Sequence, residues 1–133
     1  MKLLTRNTDY GIRAICFISK SGKDVVSVAE LVRALKMPKP FLRKILQALN
    51  KGGIVRSHKG IGGGFELSVS PDKIRLIDLI ESFQGPVEIN KCFFKKALCP
   101  NRTKCALKKK IDRIEAMVRA ELKKITIEDL TRA

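Results

Sequence analysis

Histidine is nearly absent from this sequence: His58 is the only one in 133 residues. No cysteine–histidine pair or paired-carboxylate arrangement makes up for it, so no side chain can be assigned to nucleophilic or general acid–base catalysis, and an enzyme is not expected. Long apolar runs are missing as well. None approaches the roughly 18 to 20 residues that a membrane-spanning helix needs. The basic residues are mixed with acids instead of forming the wet face of one amphipathic helix, so a membrane is not an expected partner. The N-terminal stretch MKLLTRNTDYGIR lacks the apolar centre of a secretory signal, which points to a cytoplasmic location. Thiols stay reduced there, which disfavours a disulfide framework. Neither internal repeats nor low-complexity segments occur.

Acidic residues are scarce beside basic ones, 13 against 28, and the resulting charge of +15 draws in polyanions, nucleic acid first among them. The length fits one compact module with an appendage, and 44% hydrophobic residues supply a modest core.

Along the chain, Tyr10, Ala14, Phe17 and Ile18 form a helical stripe from about Thr5 to Lys20, ended by the turn SGKD. Ser27 and Glu30 match a capping box, in which each side chain takes up the other's free backbone N–H, so a second helix opens at Ser27. Pro38 and Pro40 stop it and suit the first turn of a third helix, which Gly52 and Gly53 close after Lys51. Two β-like runs, Ile54 to Ser57 and Phe65 to Val69, flank a glycine-rich tip and predict a hairpin. A short helix over IRLIDLIESFQ ends at Gly85 and Pro86. From about Thr103 to Ile125 the residues Leu107, Ile111, Ile114, Val118, Leu122 and Ile125 make one narrow apolar seam in an otherwise charged helix. A seam of that kind suits a partner helix, either in the same chain or across a dimer. Thr126 then caps a last short helix.

Helix, two closely spaced helices and a hairpin is the element order of a winged helix-turn-helix domain. The expected fold is therefore mainly α with a small β-wing, a winged helix-turn-helix region followed by a long C-terminal dimerisation helix. On the third helix Lys39, Arg43, Gln47 and Lys51 step by four, opposite a face of Phe41, Leu42, Ile45, Leu46 and Leu49. Arg43 and Gln47 suit guanine and adenine in the major groove of double-stranded DNA, and the lysines suit phosphates. The stretch RSHKGIGGGFEL sets Arg56, His58 and Lys59 beside Gly60, Gly62, Gly63 and Gly64, a wing that can place His58 or Lys59 in a minor groove.

Three of the four cysteines, Cys92, Cys99 and Cys105, lie in CFFKKALCPNRTKC with six and then five residues between them. Zinc sites usually present two thiolates from one tight C-x-x-C turn, which is missing here. An iron–sulfur cluster accepts wider spacing but commonly takes four thiolates, and the loop offers three. Thiol–disulfide sensing by the same cysteines remains open beside it. Cys16, among Ile12, Ile15 and Phe17, is expected to be a core thiol.

TDYGIRA (8–14), GIGGGFEL (60–67), the triple-cysteine loop and ITIEDL (125–130) together resemble the IscR/NsrR-type winged-helix transcription regulators, over nearly the whole chain. The resemblance implies a homodimer on palindromic promoter DNA, with long C-terminal helices crossing between subunits. It also implies an iron–sulfur cluster, 2Fe-2S or 4Fe-4S, that tunes DNA affinity. The ligands carried across are Cys92, Cys99 and Cys105. Where the iron–sulfur-biogenesis branch has a histidine three residues after the last cysteine, this chain has Lys108. The nitric-oxide-sensing branch is closer, because NTDYG offers Asp9 where some of its members supply a carboxylate from the partner subunit. The division expected is residues 1–85 for DNA binding, 86–105 for the cysteine loop and 103–133 for dimerisation. A homodimeric DNA-binding transcription regulator under iron–sulfur control is the leading expectation. A cluster-free DNA-binding regulator that senses through thiols is the alternative, and a ferredoxin-type electron carrier a more distant one.

Overall fold

The computed structural model describes residues 2–89 and 105–132. Among these described residues six α-helices and one two-stranded sheet follow in the order α1 (Arg6–Lys20), α2 (Val28–Leu35), α3 (Lys39–Lys51), β1 (Val55–His58), β2 (Gly64–Leu67), α4 (Leu76–Gln84), α5 (Ala106–Lys124) and α6 (Ile127–Arg132), with a 3₁₀ turn at Pro71–Lys73 before α4. This is the expected winged-helix order.

Local chemistry explains most of the boundaries. The Thr5 side chain accepts the Thr8 N–H and starts α1. At α2 the Ser27 hydroxyl accepts the Glu30 N–H at 3.1 Å, but the reciprocal half of the expected capping box is not what Glu30 makes. Its carboxylate accepts from Lys23 Nζ at 2.8 Å and lies 3.5 Å from the Ser27 hydroxyl, because a nearby ammonium outcompetes a neutral amide for the charge. The fully reciprocal box stands at α6, where Thr126 Oγ1 accepts the Asp129 N–H and Asp129 Oδ2 accepts the Thr126 N–H. Lys36 ends α2 in the left-handed conformation, and Pro38 and Pro40 set up the first turn of α3, as their fixed φ allows.

The hairpin is antiparallel with Val55 opposite Leu67 and His58 opposite Gly64, so β1 starts one residue later and β2 one earlier than the sequence predicts. The shift has a tertiary cause. Val26, just before α2, exchanges both backbone hydrogen bonds with Phe65, at 2.9 and 2.8 Å, and draws β2 towards its start. Gly64 makes this approach possible: a Cβ there would stand 2.1 Å from the Val26 carbonyl oxygen.

One core joins α1, α2, α3, the hairpin and α6, with Ile15, Leu31, Leu42, Leu46, Leu49, Val55 and Ile127 at most 1% exposed. Each such side chain contributes about 1.5–3 kcal/mol by leaving water. α4 packs on α1 where Gly11 meets the Phe83 ring: a Cβ on Gly11 would lie 2.4 Å from Phe83 Cε2. Thr8, the one fully buried polar residue described, donates to Gln84 Oε1 at 2.8 Å. The same oxygen accepts the Thr5 N–H, and Gln84 Nε2 donates to the Leu3 carbonyl, so the N-terminal arm is tied to the end of α4. A smaller cluster of Ile77, Ile80, Val87 and Leu122 attaches the C-terminal half of α5 to α4. There the Leu76 and Ile127 amides bond the Ile125 and Ile74 carbonyls and bring α6 back into the main core.

The expected single seam of α5 divides. Val118 and Leu122 turn to the chain's own α4, whereas Leu107 and Ile114 remain 68% and 48% exposed, joined by Met117 at 61%. The predicted start of this helix near Thr103 lies outside the described residues.

Candidate nucleic-acid interface

α3 is amphipathic as predicted: Leu42, Ile45, Leu46 and Leu49 are buried, while Lys39, Arg43, Gln47 and Lys51 are exposed. The buried face fixes the helix against α1 and α2, and a T-shaped Tyr10–Phe41 ring pair with centroids 5.4 Å apart holds its first turn to α1. With its inner face anchored, α3 presents its polar face as a rigid row.

That row meets the wing across an open cleft of about 540 Å³, lined by Arg43, Gln47 and Asn50 from α3 and by Ser57, His58, Lys59 and Gly60 from the wing. The structure thus brings Arg43, Gln47, His58 and Lys59 together. Lys39 and Lys51 sit at the two ends of α3 and do not line the cleft. Asn50 was missed by counting only in steps of four. It follows Gln47 by three, and on a 3.6-residue helix that spacing shares the face equally well.

Strand alternation sorts the wing. Ser57 shares a face with buried Val55, and Arg56 and His58 lie on the other. On that outer face Arg56 Nη2 donates to Glu66 Oε1 at 2.7 Å, and His58 Nε2 lies 3.4 Å from Glu66 Oε2. Glu66 therefore braces two of the residues assigned to DNA, and Arg56 is turned from the cleft towards it. Only the register, which sets Arg56 opposite Glu66, reveals this partnership. At the tip the Gly63 N–H donates to the Gly60 carbonyl at 3.0 Å, with Gly60 at φ +91° and Gly62 at φ +76°. Ile61 between them is fully exposed.

Among the thiols, Cys105 is the N-cap of α5, free and part-exposed, with its Sγ accepting the Lys108 N–H at 3.4 Å. Cys92 and Cys99 lie outside the described residues. Lys108 pairs with Asp112 at 2.6 Å. Asp9, in the first turn of α1, pairs with Arg13 at 3.1 Å. Among the described residues no three histidine, cysteine or acidic side chains gather as a metal site. Cys16 packs against the main core, and burial pushes its thiol up in pKa against a smaller opposing effect of Lys20, so it stays a protonated core residue. No helix among the described residues is long and apolar enough to cross a membrane.

The family described as "Rrf2: Iron-dependent Transcriptional regulator" matches residues 4–133. A protein of Aquifex aeolicus named as an HTH-type transcriptional regulator is 32% identical over 123 residues, covering 91% of this chain and 85% of its own. The HTH-type transcriptional regulator NsrR of Bacillus subtilis is 28% identical over 131 residues, covering 97% of this chain and 90% of its own. Among solved structures, CymR, the global cysteine regulator of B. subtilis, superposes with a TM-score of 0.81 over 99% of this chain and 98% of its own. At 24% identity it shares the fold.

Proposed function

The chain belongs to the Rrf2 family of iron-dependent transcriptional regulators, and from that premise we propose that it is a homodimeric regulator whose hold on palindromic promoter DNA is set by an iron–sulfur cluster. The observation that carries the DNA part is the cleft in which Arg43, Gln47 and Asn50 face the wing. Arg43 can take guanine O6 and N7 bidentately, while Gln47 and Asn50 can take adenine N6 and N7. Lys39 and Lys51, at the ends of α3, suit the phosphates that bound the major groove, with Lys59 and His58 at the adjacent minor groove. Arg56 contributes by bracing the wing through Glu66. The outward residues Leu107, Ile114 and Met117 suit a second copy of α5, and two-fold pairing would set two α3 helices towards the two halves of a palindrome.

The donor chemistry fits an iron–sulfur group as far as the described residues reach. Cys105 offers a free, part-exposed thiol at the N-cap of α5. Cys92 and Cys99 join it by the family resemblance. Asp9 would have to leave Arg13 to serve as a ligand, which suits a weak and exchangeable position. When bound, such a group supplies iron that oxygen, nitric oxide or iron supply can alter. Because Cys105 caps α5, a change in what its sulfur binds acts directly on the first turn of the helix that carries the outward seam. A coupling of only about 1–3 kcal/mol changes promoter occupancy substantially.

Purification without oxygen tests the reading. A brown protein containing iron and sulfide, losing both in Cys99→Ala and holding them less tightly in Asp9→Ala, is the expected result. A colourless protein whose DNA binding follows reversible disulfides would replace the cluster with thiol sensing, a reading that the free, part-exposed Cys105 also supports.

A further inference from the structure

Resting on the reading of α3 and the wing as the DNA interface, we propose that Ile61 is a specificity residue that enters the minor groove and selects A·T over G·C pairs there. Single exposed apolar residues are ordinary, so exposure alone says little. The construction of the tip says more. Ile61 is the most exposed large apolar side chain described, at 109%, and every other residue from 60 to 64 is glycine. The ridge is therefore bare backbone carrying one four-carbon side chain, slim enough for a groove about 6 Å wide.

The tip is also held in shape. The Gly63 N–H closes on the Gly60 carbonyl, and a Cβ at residue 63 would lie 2.3 Å from the His58 carbonyl oxygen, so side chains are excluded where the loop folds back. Ile61 is consequently carried outward at the apex of a closed turn. At the base of the same loop stands Lys59, with Arg43 across the cleft, cations suited to the phosphates that line a minor groove, and His58 lies beside them.

The direction of selectivity follows from the groove floor. A G·C pair projects the guanine 2-amino group into it, whereas both orientations of an A·T pair leave only acceptors. An aliphatic side chain cannot accept a hydrogen bond from that amino group, and seating over it leaves a desolvated donor without a partner. Ile61 therefore excludes G·C and treats A·T and T·A nearly alike, complementing the major-groove reading by α3.

The test uses the full chain, purified without oxygen, and duplexes that it enriches from a random-sequence pool. Ile61→Ala should weaken binding to the enriched duplex about five- to tenfold, the effect of removing a partly buried aliphatic group. Its log–log salt slope should match wild type, because a neutral side chain releases no counterion. Lys59→Ala should instead reduce that slope by about 0.9. At the positions where wild-type and Ile61→Ala enrichments differ, G·C should weaken the wild type, and inosine·C, which lacks the 2-amino group, should restore it. Equal affinity and equal A·T preference in Ile61→Ala overturns the role of Ile61 while leaving the interface intact. If Arg43→Ala and Lys59→Ala also bind like wild type, or no duplex is enriched, the interface reading itself fails.

Discussion

Replacing Ile114 by glutamate should split the proposed dimer into monomers without unfolding them. Leu107, Ile114 and Met117 leave 68, 48 and 61% of their surfaces in water on one side of α5. At about 1.5–3 kcal/mol per whole side chain removed from water, covering what is exposed gives about 3–5 kcal/mol per protomer, doubled by a two-fold axis. Association costs about 4–15 kcal/mol in lost translational and rotational freedom, so the outward residues would hold the proposed dimer with little surplus. Glutamate at 114 removes about 1 kcal/mol of that gain in each copy and sets two carboxylates against the partner. The combined loss of about 3–4 kcal/mol raises the dimer Kd roughly a hundred- to a thousandfold. Sedimentation equilibrium at micromolar concentration should show the monomer mass, with helical circular dichroism retained because Ile114 belongs to neither buried cluster. Ala116→Glu, an exposed position on the opposite side of α5, should stay dimeric. A dimer that survives Ile114→Glu with unchanged Kd would refute the assignment of this surface.

Gly64→Ala should destabilise the fold by about 2–4 kcal/mol and lower Tm by roughly 10 °C, since its Cβ meets the Val26 carbonyl and its φ of +156° is one that side chains resist. Restoration of wild-type Tm in that variant would show that the bridge between Val26 and Phe65 is dispensable. Glu30 has its carboxylate held below the ordinary glutamate pKa, first by the Lys23 ammonium and then by Ser27. A depressed folded pKa gives stability that is present above the unfolded value and lost as pH falls through the folded one. Glu30→Gln should therefore be less stable than wild type at neutral pH in urea titrations and should converge with it in the acid range.

The features legible in the sequence are those written within a few residues. The apolar steps of α1 and α3, the proline pair before α3, the glycine-rich tip and the cap at Thr126 all act over one or two turns, and each appears where its pattern stands. The exposed row Lys39, Arg43, Gln47 and Lys51 was readable for the same reason, because burying Leu42, Ile45, Leu46 and Leu49 leaves no other face for it. Asn50 was readable too, had steps of three been counted with steps of four.

Tertiary contacts settled the rest. The Glu30 carboxylate turned to Lys23, seven residues away, because folding brought an ammonium within 2.8 Å. Glu66 became the partner of Arg56 and His58 through a register that Val26 fixes from outside the hairpin. The seam of α5 looks uniform along the chain, yet Leu122 faces α4 and Ile114 faces water. Periodicity tells a helix which residues are apolar. Only the position of α4 decides which of them the chain covers for itself and which it leaves for another surface.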